Sequence, residues 1–264
     1  MKLSVESAAI LAPGLTGWAA GRAVLAGEKT YEPAPLAPPV ADLLPAVERR
    51  RIGSMVKLAL AVGNQALTSA SRPVDSVATV FVSSGGDGDV INDICITLAG
   101  SDRQVSPTRF HNSVHNAPSG YWGIATHSHH SSTSLCGFDW SFAIGLLEAA
   151  AQLQVDRREV LLVAYDTPYP EPLGSLRRVA QPFGAALLFT RHRTERTIAE
   201  LEVTMDAQPK EISRMSDAAL EHLRTSNPCA RALPLLAALA GAQPQRVTLE
   251  RDAGQTLSVS VRMS

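Results

Sequence analysis

The chain reads as an α/β protein, a mixed β-sheet covered by helices, and three observations carry that expectation. Val77–Val82 (VATVFV) and Val160–Tyr165 (VLLVAY) are short, continuously apolar runs, the pattern of strands buried on both faces. Ile52, Met55, Val56, Ala59, Gly63, Ala66 and Leu67 recur at helical spacing and form one apolar stripe. Strand-like and helix-like segments also alternate along the chain, as in layered α/β folds. At 264 residues and 45% hydrophobic composition the chain can bury a sizeable core, as one large domain or two small ones.

Taken in order, residues 2–12 predict a first strand at or near the sheet centre, stopped by Pro13-Gly14. A proline-rich loop spans Pro33 to Pro45, and the amphipathic helix follows over about 52–70. The strand 77–82 runs into Ser83-Ser84-Gly85-Gly86-Asp87-Gly88, then a helix is expected through about Asn92–Leu98. No GxGxxG or P-loop spacing accompanies these glycines, so they predict a tight strand exit rather than a phosphate cradle, and no cofactor is expected. After the central stretch, 160–165, 185–189 and 198–205 read as strands, the last two as an antiparallel hairpin. Helices near 216–225 and 234–240 precede a strand pair at 246–250 and 257–261.

Charge and cysteine usage narrow the function classes. With 24 basic and 25 acidic residues the net charge is −1, which leaves no basic field for a phosphate backbone, so nucleic acid is not an expected partner. Cys95, Cys136 and Cys229 are odd in number and widely spaced, the usage of a reducing compartment. Glu6 and Pro13-Gly14 interrupt the N-terminal apolar residues, against a signal peptide or a membrane anchor. The expectation is a cytoplasmic protein.

Phe110–Leu153 gathers five of the seven histidines, two of the three tryptophans and Cys136, then enters an apolar helix. His111, His115, His127, His129 and His130 invite a metal reading, but the prolines around the first pair disfavour a helix there. No Cys, Asp or Glu completes a ligand set, so no metal is expected. A second reading is covalent catalysis: a helix N-terminus stabilises the Cys136 thiolate, with His127, His129 or His130 as base. The plain alternative is that Cys136 is a small hydrophobe.

The segment Phe110-His111-Asn112-Ser113-Val114-His115-Asn116-Ala117-Pro118-Ser119-Gly120, followed by Cys136-Gly137 ahead of Ala143-Ile144-Gly145-Leu146-Leu147, resembles the N-terminal half of a β-ketoacyl synthase. The resemblance covers roughly 2–205 and implies a thiolase-like half-fold, a five-stranded mixed sheet covered by helices. Residues 206–264 are then a small C-terminal extension. It also implies a nucleophilic cysteine six residues before the Ala-Ile-Gly, but Cys136 lies seven before it and Gly137 takes that place. The two histidine motifs of the family's C-terminal half are absent from 206–264, which hold only His222. The chain is therefore most similar to short chain-length-factor-like subunits of aryl polyene type pathways. They pair with a complete ketosynthase and shape its acyl tunnel.

The resemblance places Asn112, Asn116, Gly120, Tyr121, Trp122, Gly137, Phe138, Trp140 and Phe142 at the tunnel or interface. Residues 139–153 are apolar on nearly every side, so either a partner of roughly 2,000–5,000 Å² interface or residues 206–264 must cover them. The expected partners are a complete ketosynthase and an acyl carrier protein. Two further readings stay open: a Cys136-dependent acyltransferase or condensing enzyme, and a carrier-docking module using Arg177, Arg178, Arg191, Arg193 and Arg196.

Overall fold

A computed structural model describes residues Met1–Ser264. Its centre is one mixed sheet of eight strands: β1 (Lys2–Leu11), β2 (Ala78–Ser83), β3 (Ser132–Cys136), β4 (Val160–Asp166), β5 (Phe183–Thr190), β6 (Ala199–Met205), β7 (Gln245–Asp252) and β8 (Gln255–Met263). Their order is β3-β2-β4-β5-β1-β6-β8-β7. The three strands β3, β2 and β4 run parallel, and every other pairing is antiparallel. The buried aliphatic run of β1 therefore sits inside the sheet, as its sequence predicts.

Ten helices cover the two faces: α1 (Trp18–Leu25), α2 (Ala46–Arg49), α3 (Ser54–Ser69), α4 (Gly88–Ala99), α5 (Pro107–Asn112), α6 (Ala117–Thr126), α7 (Ser141–Val155), α8 (Leu173–Leu176), α9 (Ala218–Ser226) and α10 (Leu233–Ala240). Alternation along β4 splits its side chains between two cores. Val160, Leu162 and Ala164 face α7 and α10, whereas Leu161, Val163 and Tyr165 face α3 and α6. The α3 stripe buries Met55, Val56, Ala59, Ala66 and Leu67 as expected. No helix is long and apolar enough to cross a membrane.

Three expectations are corrected, and one open alternative is decided. The sheet has eight strands rather than five, because polar β3 (STSLC) escapes an apolar pattern and β8 joins the sheet along β6. The runs 185–189 and 198–205 do not pair with each other, since β1 lies between β5 and β6 and pairs with both. The prolines near 107 and 118 open helices α5 and α6 at their first turns, where a missing N–H costs nothing. Finally, α7 is covered from within the chain. Phe142, Leu146 and Leu153 share one core with Cys229, Leu233 and Leu236.

Candidate functional site

The C-terminal ends of β2, β3 and β4 meet where α4 and α7 begin, the location at which parallel strands commonly offer groups to a ligand. A hydrogen-bonded knot ties these ends together. Asp166, at the end of β4, accepts from Ser84 N and Ser84 Oγ, both at 2.9 Å, and from Cys229 N at 3.2 Å. Burial pushes the Asp166 carboxyl up to about 6, against the pull of these donors. Cys229 is fully buried beside it, and burial pushes its thiol up as well.

The glycine-rich turn after β2 is a strand exit, as expected. A Cβ at Gly88 or Gly85 would run into the ring of Tyr169, so only glycine lets that ring close the turn. Asp87 then caps α4 by accepting from Val90 N at 3.2 Å.

The turn from β3 into α7 is the feature that the family resemblance singles out. Cys136 ends β3 and is exposed, and its thiol donates to Ser84 O at 3.2 Å rather than receiving helix N–H groups. A single 3₁₀ turn, Phe138–Trp140, separates it from α7. The left-handed residue of this turn is Phe138, with φ of +53°. A non-glycine residue in that region costs about 1 kcal/mol or more and persists only where neighbours hold it. Here Ser141 does the holding. Its Oγ accepts from Gly137 N at 3.0 Å and lies 2.7 Å from Phe138 O and 3.0 Å from Ser83 O.

Phe138 is 53% exposed, and the Arg177 guanidinium carbon sits 3.5 Å from its ring centroid. Arg177 Nη2 donates to Asp139 Oδ1 at 2.9 Å. No cysteine occupies the apex. At Gly137 a side chain would meet Ile144 and approach Ser141 Cα to 3.2 Å.

The remaining candidates scatter. His127, His129 and His130 sit at the other pole, in a polar cleft with Asp75, Ser76, Arg158 and Glu159 near the start of β3. At about 3.3 Å per residue the length of β3 puts them roughly 15 Å or more from Cys136, too far to act as its base. The histidine at this end of the sheet is His115, whose Nε2 lies 3.0 Å from Ser83 Oγ, and Ser83 is the register partner of Cys136. Burial holds the His115 imidazole below its ordinary range. It lay among the sequence candidates for a metal but not for a base, because only the β2–β3 pairing brings it to this pole. No three His, Cys, Asp or Glu side chains converge as a metal-ligand set.

Among the expected tunnel residues, Trp122 is 1% exposed against Phe81, and Tyr121 and Phe142 are also core side chains. Asn112 is buried too, donating to Arg51 O at 2.7 Å and accepting from Tyr121 at 3.0 Å. Asn116 and Gly120 are exposed, Gly137 and Trp140 half-buried, and Phe138 alone projects from the elbow. The five arginines divide as well. Arg177 and Arg178 precede β5, whereas Arg191, Arg193 and Arg196 follow it, about 25 Å away along an eight-residue strand. They do not make one docking surface.

Comparison with known proteins places the fold. A chain of the complex of the ketosynthase ApeO with its chain length factor ApeC from Xenorhabdus doucetiae superimposes with a TM-score of 0.75 at 23% identity, covering 98% of this chain and 99% of that one. The ishigamide ketosynthase/chain length factor gives 0.72 at 14% identity, over 100% and 99%. A chain of AntDE:AntF, a type II PKS acyl-carrier protein in complex with its ketosynthase bound to the hexaketide, gives 0.76 at 12% identity, again over 100% and 99%. No curated protein matches the sequence. The family described as "Beta-ketoacyl synthase, N-terminal domain" matches residues 23–252, so this chain, with its thiolase-like sheet and its strand-to-helix elbow, belongs to the β-ketoacyl synthase N-terminal domain family.

Proposed function

We propose that this chain is a catalytically incomplete ketosynthase-like subunit that pairs with a complete ketosynthase and shapes its acyl tunnel, as a chain length factor in polyene or fatty acid-type synthesis. The observation that carries this is the elbow apex. Where the family match places the thiolate that holds the acyl chain stands Gly137, which has no side chain, and the left-handed residue beside it, Phe138, has no nucleophilic atom. The family's two histidine motifs, which supply donors to the developing oxyanion, are lacking too. His222 lines a cleft with Pro13, Tyr31 and Gln181 instead of the elbow, and loss of one such donor typically costs about 100- to 1000-fold in rate. A phenyl ring at this apex is suited to ending an apolar tunnel.

Two features support the pairing. The strand β3 hydrogen-bonds only to β2, so its outer edge presents unpaired backbone groups of the kind that partners cover. The helix α4 packs on α5, and Ile96 and Leu98 of α4, Phe110 of α5 and Val114 just after it are exposed, an unusual load for a monomer surface. The matched solved chains also come from ketosynthase complexes in three cases.

Co-purification with a ketosynthase of the same organism tests the pairing. Within that complex, Phe138→Ala is expected to shift the products toward longer chains, read by mass spectrometry. An unchanged product distribution would remove Phe138 from the tunnel.

The competing reading is acyl transfer by Cys136, favoured by its exposure and by His115 across the β2–β3 pairing. Iodoacetamide separates the two readings. The subunit reading expects alkylation of Cys136 no faster than that of exposed Cys95 and no loss of product formation by the complex. Rapid, selective labelling of Cys136 with loss of activity would favour the enzyme.

A further inference from the structure

Phe138 belongs to a chain of contacts that reaches the far end of the sequence. Its ring carries the Arg177 guanidinium on one face at 3.5 Å, a cation–π geometry. Arg177 is fixed in turn by Asp139 at 2.9 Å, and its Nε is buried without a hydrogen bond. Its orientation therefore rests on the carboxylate and the ring, with the Tyr169 hydroxyl as a further polar neighbour. Asp139 Oδ2 also lies 3.5 Å from Arg231 Nη2, and Arg231 Nη1 meets Glu250 Oε2 on β7 at 2.7 Å. Four charged groups in line, Arg177, Asp139, Arg231 and Glu250, thus connect the elbow to the C-terminal segment. Each keeps between a fifth and two fifths of its side chain exposed, so little of this order is driven by burial.

A half-exposed phenyl ring with nothing against it would sample several rotamers. A ring clamped by a planar cation with a fixed carboxylate does not. We propose that Arg177 is a positioning residue for Phe138, and that Asp139, held by the Arg231–Glu250 pair of the C-terminal segment, sets where Arg177 lies. Chain length would then depend on the orientation of the ring as well as on its presence, and residues 206–264 would act on the elbow through Arg231. This inference rests on the tunnel function proposed above for Phe138.

The test uses the co-expressed complex with the ketosynthase, with para-fluorophenylalanine at position 138 for fluorine NMR and product lengths read by mass spectrometry. Arg177→Gln removes the charge and is expected to move the fluorine resonance and broaden the product distribution toward the Phe138→Ala profile. Arg177→Lys keeps a cation without the planar fork and is expected to fall between wild type and Arg177→Gln. Arg177→Gln added to Phe138→Ala is expected to change nothing more, because both act through one ring. Asp139→Asn, which keeps shape and loses the charge, gives the same direction should Arg177→Gln fold poorly.

A fluorine resonance that stays in place in Arg177→Gln overturns the inference. So does a wild-type product profile in Arg177→Gln when Phe138→Ala alters it. If Phe138→Ala leaves the products unchanged, the tunnel function itself fails, and the fluorine resonance alone then decides whether Arg177 orients the ring.

Discussion

A charge on the exposed apolar strip of α4 and α5 is expected to abolish pairing with the ketosynthase while leaving the subunit folded. Phe110 is 68% exposed and Ile96 is 61% exposed, so neither contributes much to the core of the free chain. Under a partner, Phe110→Asp would bury a carboxylate without a counter-charge. Interface residues of this size commonly carry 2 kcal/mol or more, and an unpaired buried charge adds to that loss. The expected result is a drop in affinity of about 100-fold or more, since each 1.4 kcal/mol is tenfold. Calorimetric titration or loss from a tagged ketosynthase pull-down measures it. Ile96→Asp should act in the same direction. Intact pairing in both variants, with circular dichroism matching wild type, would place the interface elsewhere.

The second large effect concerns the knot at Asp166. Asp166→Ala leaves Ser84 N, Ser84 Oγ and Cys229 N without their acceptor, and each orphaned buried donor costs about 1–3 kcal/mol. The expected loss is about 3 kcal/mol at pH 5. Its pH dependence follows from the carboxyl, which burial holds at about 6 instead of 3.8. Between these values the folded protein binds more protons than the unfolded chain, so stability falls as pH rises. For wild type that decline is about 1 kcal/mol between pH 5 and pH 7. The gap to Asp166→Ala should narrow by the same amount.

Glu6 lies outside this window. Burial pushes its carboxyl up, but Arg72 and Thr194 outweigh that and hold it below its ordinary range, so its contribution is lost only in more acid solution. Denaturant midpoints at pH 5, 6 and 7 read the comparison. A gap that does not change with pH would show that Asp166 titrates normally.

How far the sequence led depends on whether local pattern or distant contact decides each element. The strands at 77–82 and 160–165 and the helix over 52–70 were legible because each buries a continuous run or one stripe, and periodicity reports burial directly. The strand β3 was not, because an edge strand that opens Ser132-Thr133-Ser134 carries no apolar signal. The pairing of β5 and β6 with β1 rather than with each other was hidden for another reason. Adjacent strands usually pair, and the insertion of an N-terminal strand between them is a long-range choice that no local residue announces.

Within the site, the sequence singled out 110–153, which contains the turn from β3 into α7, and the one-residue offset of Cys136 was visible in the spacing to Ala143. It did not show that the left-handed position falls on Phe138, because a positive φ at a non-glycine residue depends on the Ser141 bonds that hold it. It also linked Cys136 to His127, His129 and His130, neighbours in the chain that β3 carries to the opposite pole. The histidine at this end of the sheet, His115, lies between α5 and α6 and reaches Ser83 at the end of β2.

Composition and periodicity thus determined the class of fold and the core helices and strands, since these follow from which residues must leave water and which order they come in, while the resemblance of residues 110–149 pointed to the family. Strand order, the eight-stranded extent of the sheet, the covering of α7 by the C-terminal segment and the contact of Arg177 with Phe138 were decided only by the tertiary structure. Each depends on surfaces from distant parts of the chain meeting, and that competition is settled by the packing of the whole molecule.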